Sequence, residues 1–230
     1  MAAKDRYESL RGLTTAVVAL LWLDIVMQVA YAGASLGVVS LINGLLDGSI
    51  IAEDDSMMPA EIVQAIIGIA SLAVTLSLYI VIGRWIFCAA WNVRHLGAKR
   101  LEHTPGWAVG WYFVPFANLL MPYRAMKEIW LASHAPQDWR PDEPARLLST
   151  WWGLWLAASV VGHISFRIAL NAETLEGMRI GEWAGILQCA LSMPLALVFM
   201  RIARTVSAEQ DRHAGAAQAE PPPLPAQVAA

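Results

Sequence analysis

Four long apolar runs separated by short polar stretches set the pattern of this chain: residues 13–42, 62–91, 149–170 and 182–203. Each reaches the roughly 20 residues that a helix needs to cross a bilayer core. A different texture lies between the second and third runs. "HTPGWAVGWYFVPFANLLMPYRAMKEIW" (103–130) mixes three Trp with three Pro around an almost charge-free middle. A helix from Trp107 to Leu120 would be about 21 Å long, short of a core of about 30 Å. Pro115 would also break its hydrogen-bond ladder near the centre. The pattern predicts a re-entrant or interfacial hairpin over 105–133, with a tilted fifth span as the alternative. Pro122 suits the first turn of a new helix. There Tyr123, Met126, Ile129 and Trp130 share one face, and Arg124, Lys127 and Glu128 the other. That is the pattern of an amphipathic helix lying in the interface, with Arg124 and Glu128 spaced to pair.

The expected fold is therefore all-α: a polytopic membrane helix bundle with four transmembrane helices, the Trp/Pro hairpin and the amphipathic helix. Residues 1–12 form a short N-terminus, 13–204 the membrane domain, and 205–230 a Pro/Ala-rich tail expected to be disordered. Composition agrees, with 57% hydrophobic residues and 15% charged, against about 25% charged in soluble domains. A signal peptide is the rival for the first run, with Ala30-Tyr31-Ala32 as its cleavage site. The run is longer than such a segment and contains Asp24, which favours an uncleaved span. The net charge of −3 is too small to imply a nucleic-acid partner.

Loop charge orients the bundle, because short loops rich in Lys and Arg stay in the cytoplasm. Lys4, Arg6 and Arg11 precede the first span; Arg94, Lys99 and Arg100 follow the second; Arg201, Arg204 and Arg212 close the fourth. The first loop carries Asp47, Glu53, Asp54, Asp55 and Glu61 without a basic residue. Both termini are expected in the cytoplasm, and both flanks of the hairpin are basic.

The segment 84–133 resembles the core of a family of bacterial multi-pass membrane proteins, domain of unknown function 4328. The resemblance rests on Trp91-Asn92, Leu96-Gly97, Pro105-Gly106-Trp107, Gly110-Trp111, Val114-Pro115, Asn118, Pro122 and Trp130. It implies a bacterial inner-membrane location and carries over no molecular activity. Members often have a Gly/Pro/Tyr-rich cytoplasmic leader, which has no counterpart ahead of the first span.

Candidate chemistry is sparse. Arg84 shares a helical face with Cys88, Trp91 and His95, and Asp24 lies at a depth where the two could pair; snorkelling of Arg84 to the headgroups is the competing expectation. His163 and Arg167 share a face of the third span, as helix glue or as a polar site. His95, Glu102, His103 and His134 lack metal-ligand spacing and are expected to be solvated. Cys88 and Cys189 are expected to remain unpaired and to act as small hydrophobes. No catalytic residue, metal or cofactor is expected. Gly33/Gly37, Gly106/Gly110 and Gly181/Gly185 permit close helix approach, within the monomer or in a homo-oligomer. Trp107, Trp111 and Trp130 read as interfacial anchors or as the lining of a lipid pocket. The leading expectation is a structural or interaction protein whose partners are the bilayer and another membrane protein or a second copy. A small permeation unit using Asp24, Arg84 and His163 is the alternative, and an intramembrane enzyme a weaker one.

Overall fold

The computed structural model describes residues 7–50 and 58–219. They form α1 (Arg11–Leu46), α2 (Met58–His95), α3 (Pro105–Gly110), α4 (Met121–His134), α5 (Arg146–Leu170) and α6 (Leu175–Ala219). No strand occurs among the described residues. Four helices, α1, α2, α5 and α6, are long and apolar enough to cross a membrane. α1 runs unbroken through Ala30–Ala32. Pro194 lies inside α6, where it removes one ladder hydrogen bond without ending the helix.

α1 and α6 pack together along the centre, with α2 beside α1 and α5 beside α6. The outward faces invert the soluble pattern. Ile69, Tyr79 and Ile80 on α2, and Phe166 and Leu170 on α5, are exposed, and an apolar skin of this extent needs a nonaqueous cover. The bundle's two ends differ. At one, here the terminal end, lie the start of α1, the ends of α2 and α6, and the start of α5. Its core is dense: Leu10, Trp85, Met126, Ile129, Leu148, Ile202 and Val206 are fully or almost fully buried. At the other, the distal end, α1 runs into the 47–57 connection and α5 turns into α6.

One expectation is corrected. Residues 205–219 are not a disordered tail; they continue α6, and Val206, Ser207, Gln210 and Ala214 are buried. Ala203, Val206, Gln210 and Ala214 recur at a spacing of three or four, so one face of α6 keeps packing past the membrane run. The part of the tail from 220 onward lies outside the described residues, as do Glu53, Asp54 and Asp55 of the first loop. α4 is enclosed over more than its apolar stripe. Pro122, Ala125, Met126, Glu128, Ile129, Leu131, Ala132 and Ser133 are buried, because α4 is wedged against α2, α5 and α6.

Candidate functional site

The hairpin is built by local backbone rules. Gly97, at φ 91°, ends α2. Its N–H donates to Arg94 O (3.2 Å) and that of Ala98 to Val93 O (3.0 Å), the paired bonds of a Schellman stop. Thr104 then caps α3, its hydroxyl accepting from Trp107 N at 3.3 Å, with Pro105 in the first turn. Trp107 folds over Gly110, where an added Cβ would lie 3.2 Å from the indole, and lies tilted against Trp111 at 4.6 Å. After a 3₁₀ turn, Trp111–Phe113, Val114 is extended, as the residue before a proline prefers. Phe116 follows Pro115 at φ 64°, a second 3₁₀ turn covers Ala117–Leu119, and Pro122 opens α4. The tip is apolar and uncovered: Phe113 is 80% exposed and Phe116 87%, with Leu119 and Leu120 beside them. Behind it, Trp152 of α5 donates its indole N–H to Leu119 O (3.2 Å) and stacks on Trp155 at 4.6 Å. Tyr112 meets Trp155 edge-on.

A carboxylate closes the base. Glu128 accepts from Glu102 N (2.8 Å), His103 N (3.3 Å) and His103 Nδ1 (3.2 Å). Arg94 donates to Ala90 O (2.6 Å) and to His103 O. Burial pulls the Arg94 guanidinium below its ordinary pKa, with the charge of Glu128 opposing. Lys127 Nζ donates to Pro141 O (2.8 Å), and Trp139 Nε1 to Lys99 O (2.8 Å). The segment before the hairpin is thereby joined to the segment after α4, so the two flanks meet at the terminal end. His103 and Glu128 depart from expectation: both are buried, His103 is not solvated, and Glu128 makes no pair with Arg124 among the described residues. An apolar-stripe reading assigns Glu128 to the wet face because it cannot see a loop folding back over that face.

Beside this clasp sits a polar knot whose side chains, Asn92, Ser133 and Gln210, are fully buried. Asn92 Nδ2 donates to Glu8 O (2.7 Å) and to Gln210 Oε1 (3.0 Å), while its Oδ1 accepts from Glu8 N (3.1 Å). Gln210 Nε2 donates to Ala89 O (3.1 Å) and Ser133 Oγ (2.9 Å), and Ser133 to Ile129 O (2.7 Å). The N-terminal segment, α2, α4 and α6 are tied at one point. Farther out, Asp211 accepts from Tyr7 Oη (2.5 Å), Ser9 Oγ (3.0 Å) and Arg11 Nε (2.7 Å). Burial alone would raise the Asp211 pKa, but these three donors outweigh it and hold it below the usual carboxylate value. Burial, then the same hydrogen bond, pushes the Tyr7 phenol up.

The model of the family described as domain of unknown function (DUF4328) matches residues 51–208. The chain belongs to that family. No curated protein and no solved structure matches it. In this DUF4328 protein the residues singled out from sequence fall into separate groups. Asn92 is the centre of the knot; Gly97, Pro105, Gly110, Pro115 and Pro122 shape the hairpin. Gly106 faces open space. Trp91 lies between Phe87 and His95, and Trp130 lies tilted against His134 at 4.5 Å. Trp111 Nε1 is buried without a hydrogen-bond partner, and Asn118 N–H donates to Val114 O (2.9 Å). The expected Asp24–Arg84 pair is not among the ion pairs of the described residues: Asp24 accepts from Gln28 Nε2 at 2.5 Å, while Arg84 is exposed. His163 and Arg167 are exposed on α5, so Asp24, Arg84 and His163 do not gather around one route. Cys88 and Cys189 are free thiols. Gly185 closes on Tyr31, 3.2 Å from its would-be Cβ, whereas Gly33 and Gly37 meet nothing within 4 Å. Ser133 and Gln210 were not anticipated; the continuing apolar period around Gln210 is the signal that could have found it.

Proposed function

We propose that this DUF4328 protein is a membrane interaction protein whose hairpin presents its tip to lipid at the terminal, cytoplasmic side of a bacterial inner membrane. Phe116 carries the reading. It sits at the centre of a γ-turn (φ 64°, ψ −41°), with Ala117 N–H donating to Pro115 O at 2.8 Å. That strained conformation costs a non-glycine residue about 1–3 kcal/mol, and at 87% exposure the phenyl ring gains little from its own chain. Its benefit therefore comes from what covers it. Phe113, Leu119 and Leu120 extend the same apolar surface, and neighbouring side chains are spent on clasping the hairpin. The exposed basic residues Lys99, Arg100, Arg124 and Arg140 around it suit anionic headgroups. A second copy or another membrane protein is the second reading, favoured by Gly33 and Gly37 standing exposed on α1.

The test is depth. A nitroxide placed at Phe116→Cys in reconstituted vesicles, with Cys88 and Cys189 replaced by Ala, is expected to relax with oxygen and to be shielded from an aqueous nickel chelate. One at Asp142→Cys is expected to do the reverse. Equal nickel access at both positions would place the tip in water and end the lipid reading.

A further inference from the structure

At the distal end, far from the hairpin and independent of it, the four long helices leave a cavity of about 340 Å³. That volume lies within the range of small-molecule sites, about 300–1,000 Å³. Tyr31, Gln64, Phe166 and Glu182 line it, with Val38 and Met178 among its apolar walls. The Glu182 carboxylate is fixed by one hydrogen bond, from Gln64 Nε2 to Oε2 at 2.9 Å. Gln64 Nε2 also reaches Ser35 Oγ at 3.4 Å, and Ser35 is fully buried. No cation pairs with Glu182 among the described residues. Arg179 is engaged by Glu176 (2.6 Å) and Asn43 (2.9 Å), and Arg167 lines a neighbouring hollow with Asn171.

The remaining walls restrict what could balance that charge. Ser165 donates its hydroxyl to Val161 O (2.8 Å), so it offers an anion little. Two aromatic rings flank the space. Tyr31 lies against Gly185, where an added Cβ would come 3.2 Å from its Cε1, so a larger residue there would push the ring off α6 by a few tenths of an ångström. Phe166 stands 60% exposed. A carboxylate, two aromatic side chains and aliphatic walls are the chemistry that selects an ammonium group bearing carbon substituents, over an anion or a strongly hydrated metal ion. We propose that this cavity binds an organic ammonium ion, with Glu182 as its counter-charge and Tyr31 and Phe166 as its aromatic walls. Such a group can come from a free amine or from the ethanolamine head of a phospholipid.

The experiment uses the full chain in dodecyl maltoside, which contains no ammonium, titrated calorimetrically with benzyltrimethylammonium and with its neutral isostere neopentylbenzene. Saturable binding of the cation alone is expected, weakened about tenfold or more in Glu182→Gln, the loss of one close charge partner, and less in Glu182→Asp. Phe166→Ala, at an exposed rim position, is expected to weaken binding by about threefold, and carries the test should Glu182→Gln not fold. No saturable binding, equal binding of the neutral isostere, or unchanged affinity in folded Glu182→Gln and Phe166→Ala would overturn the proposal. With binding established, competition by phosphatidylethanolamine but not phosphatidylglycerol assigns the lipid head as the source; absence of competition assigns a free amine.

Discussion

Asn92 and Gln210 are fully buried amides from two different helices. They are bonded to each other, to Ala89 O and to the buried Ser133 out of reach of water, while the exposed Glu8 joins Asn92 from the edge. Such a knot is favourable only when complete, because each buried group left unpaired costs about 1–3 kcal/mol. Replacing Asn92 with Ala strands Glu8 N, Glu8 O and one acceptor site on Gln210. A destabilisation of about 2 kcal/mol is expected, mostly from Gln210, since water reaches the exposed Glu8, read by titrating dodecyl maltoside micelles with SDS and following tryptophan fluorescence. The double variant Asn92→Ala/Gln210→Leu should fall short of the sum of its single variants by about 1 kcal/mol or more, since the second change removes a group the first had orphaned. Strict additivity would mean the two amides do not act as a unit. Asn92 was legible as a residue that matters through its place after Trp91 in the family-like string. Its role was not, because a side chain's hydrogen-bond partners from 84 or 118 residues away leave no trace in local pattern.

At the scale of elements, legibility followed the strength of periodicity. α1, α2, α5 and α6 could be drawn from composition alone, since about 20 apolar residues in a row have few folded alternatives. The break at Pro115 and the start at Pro122 were equally visible, because proline acts on its own backbone. Phe116 was not: a positive-φ turn is ordinarily marked by Gly or Asn, and here Phe takes it. α4 shows the other kind of failure. Its wet and dry faces were both read from the sequence, and a loop then covered part of the wet one, with Glu128 as the clasp. That clasp holds residues 102–103, and they in turn place the Thr104 cap that starts α3. Glu128→Gln retains one acceptor but turns an NH2 group toward N–H donors, so at least one of the two amide bonds is lost. Hydrogen exchange across 98–108 is expected to accelerate about tenfold or more, the consequence of losing a charge-assisted bond, while the middle of α1 stays protected. Unchanged exchange at 98–108 would show that the loop is held by Arg94 and packing instead.

Over the whole molecule, the membrane class followed from four runs, whereas the way the chain returns between the second and third of them rested on charge: basic residues on both flanks of a segment too short to cross. The structure adds an independent reason. Trp139 bonds to Lys99 O and Lys127 to Pro141 O, so residues 99 and 141 share one end of the bundle, and α2 and α5 start and stop there in opposite senses. A fifth crossing would put those residues on opposite sides of a core about 30 Å thick, which no side-chain hydrogen bond can bridge. Single cysteines at Ser49, Lys99, Asp142 and Glu173, all exposed, convert this into a measurement once Cys88 and Cys189 are replaced by Ala. With an impermeant maleimide on spheroplasts, Ser49→Cys and Glu173→Cys should react directly, and Lys99→Cys and Asp142→Cys only after permeabilisation. Reaction of Asp142→Cys without Lys99→Cys would make the hairpin a span. The reverse of all four would keep the four-span bundle and turn it over, moving the hairpin to the other leaflet and the Glu182 cavity to the cytoplasmic face.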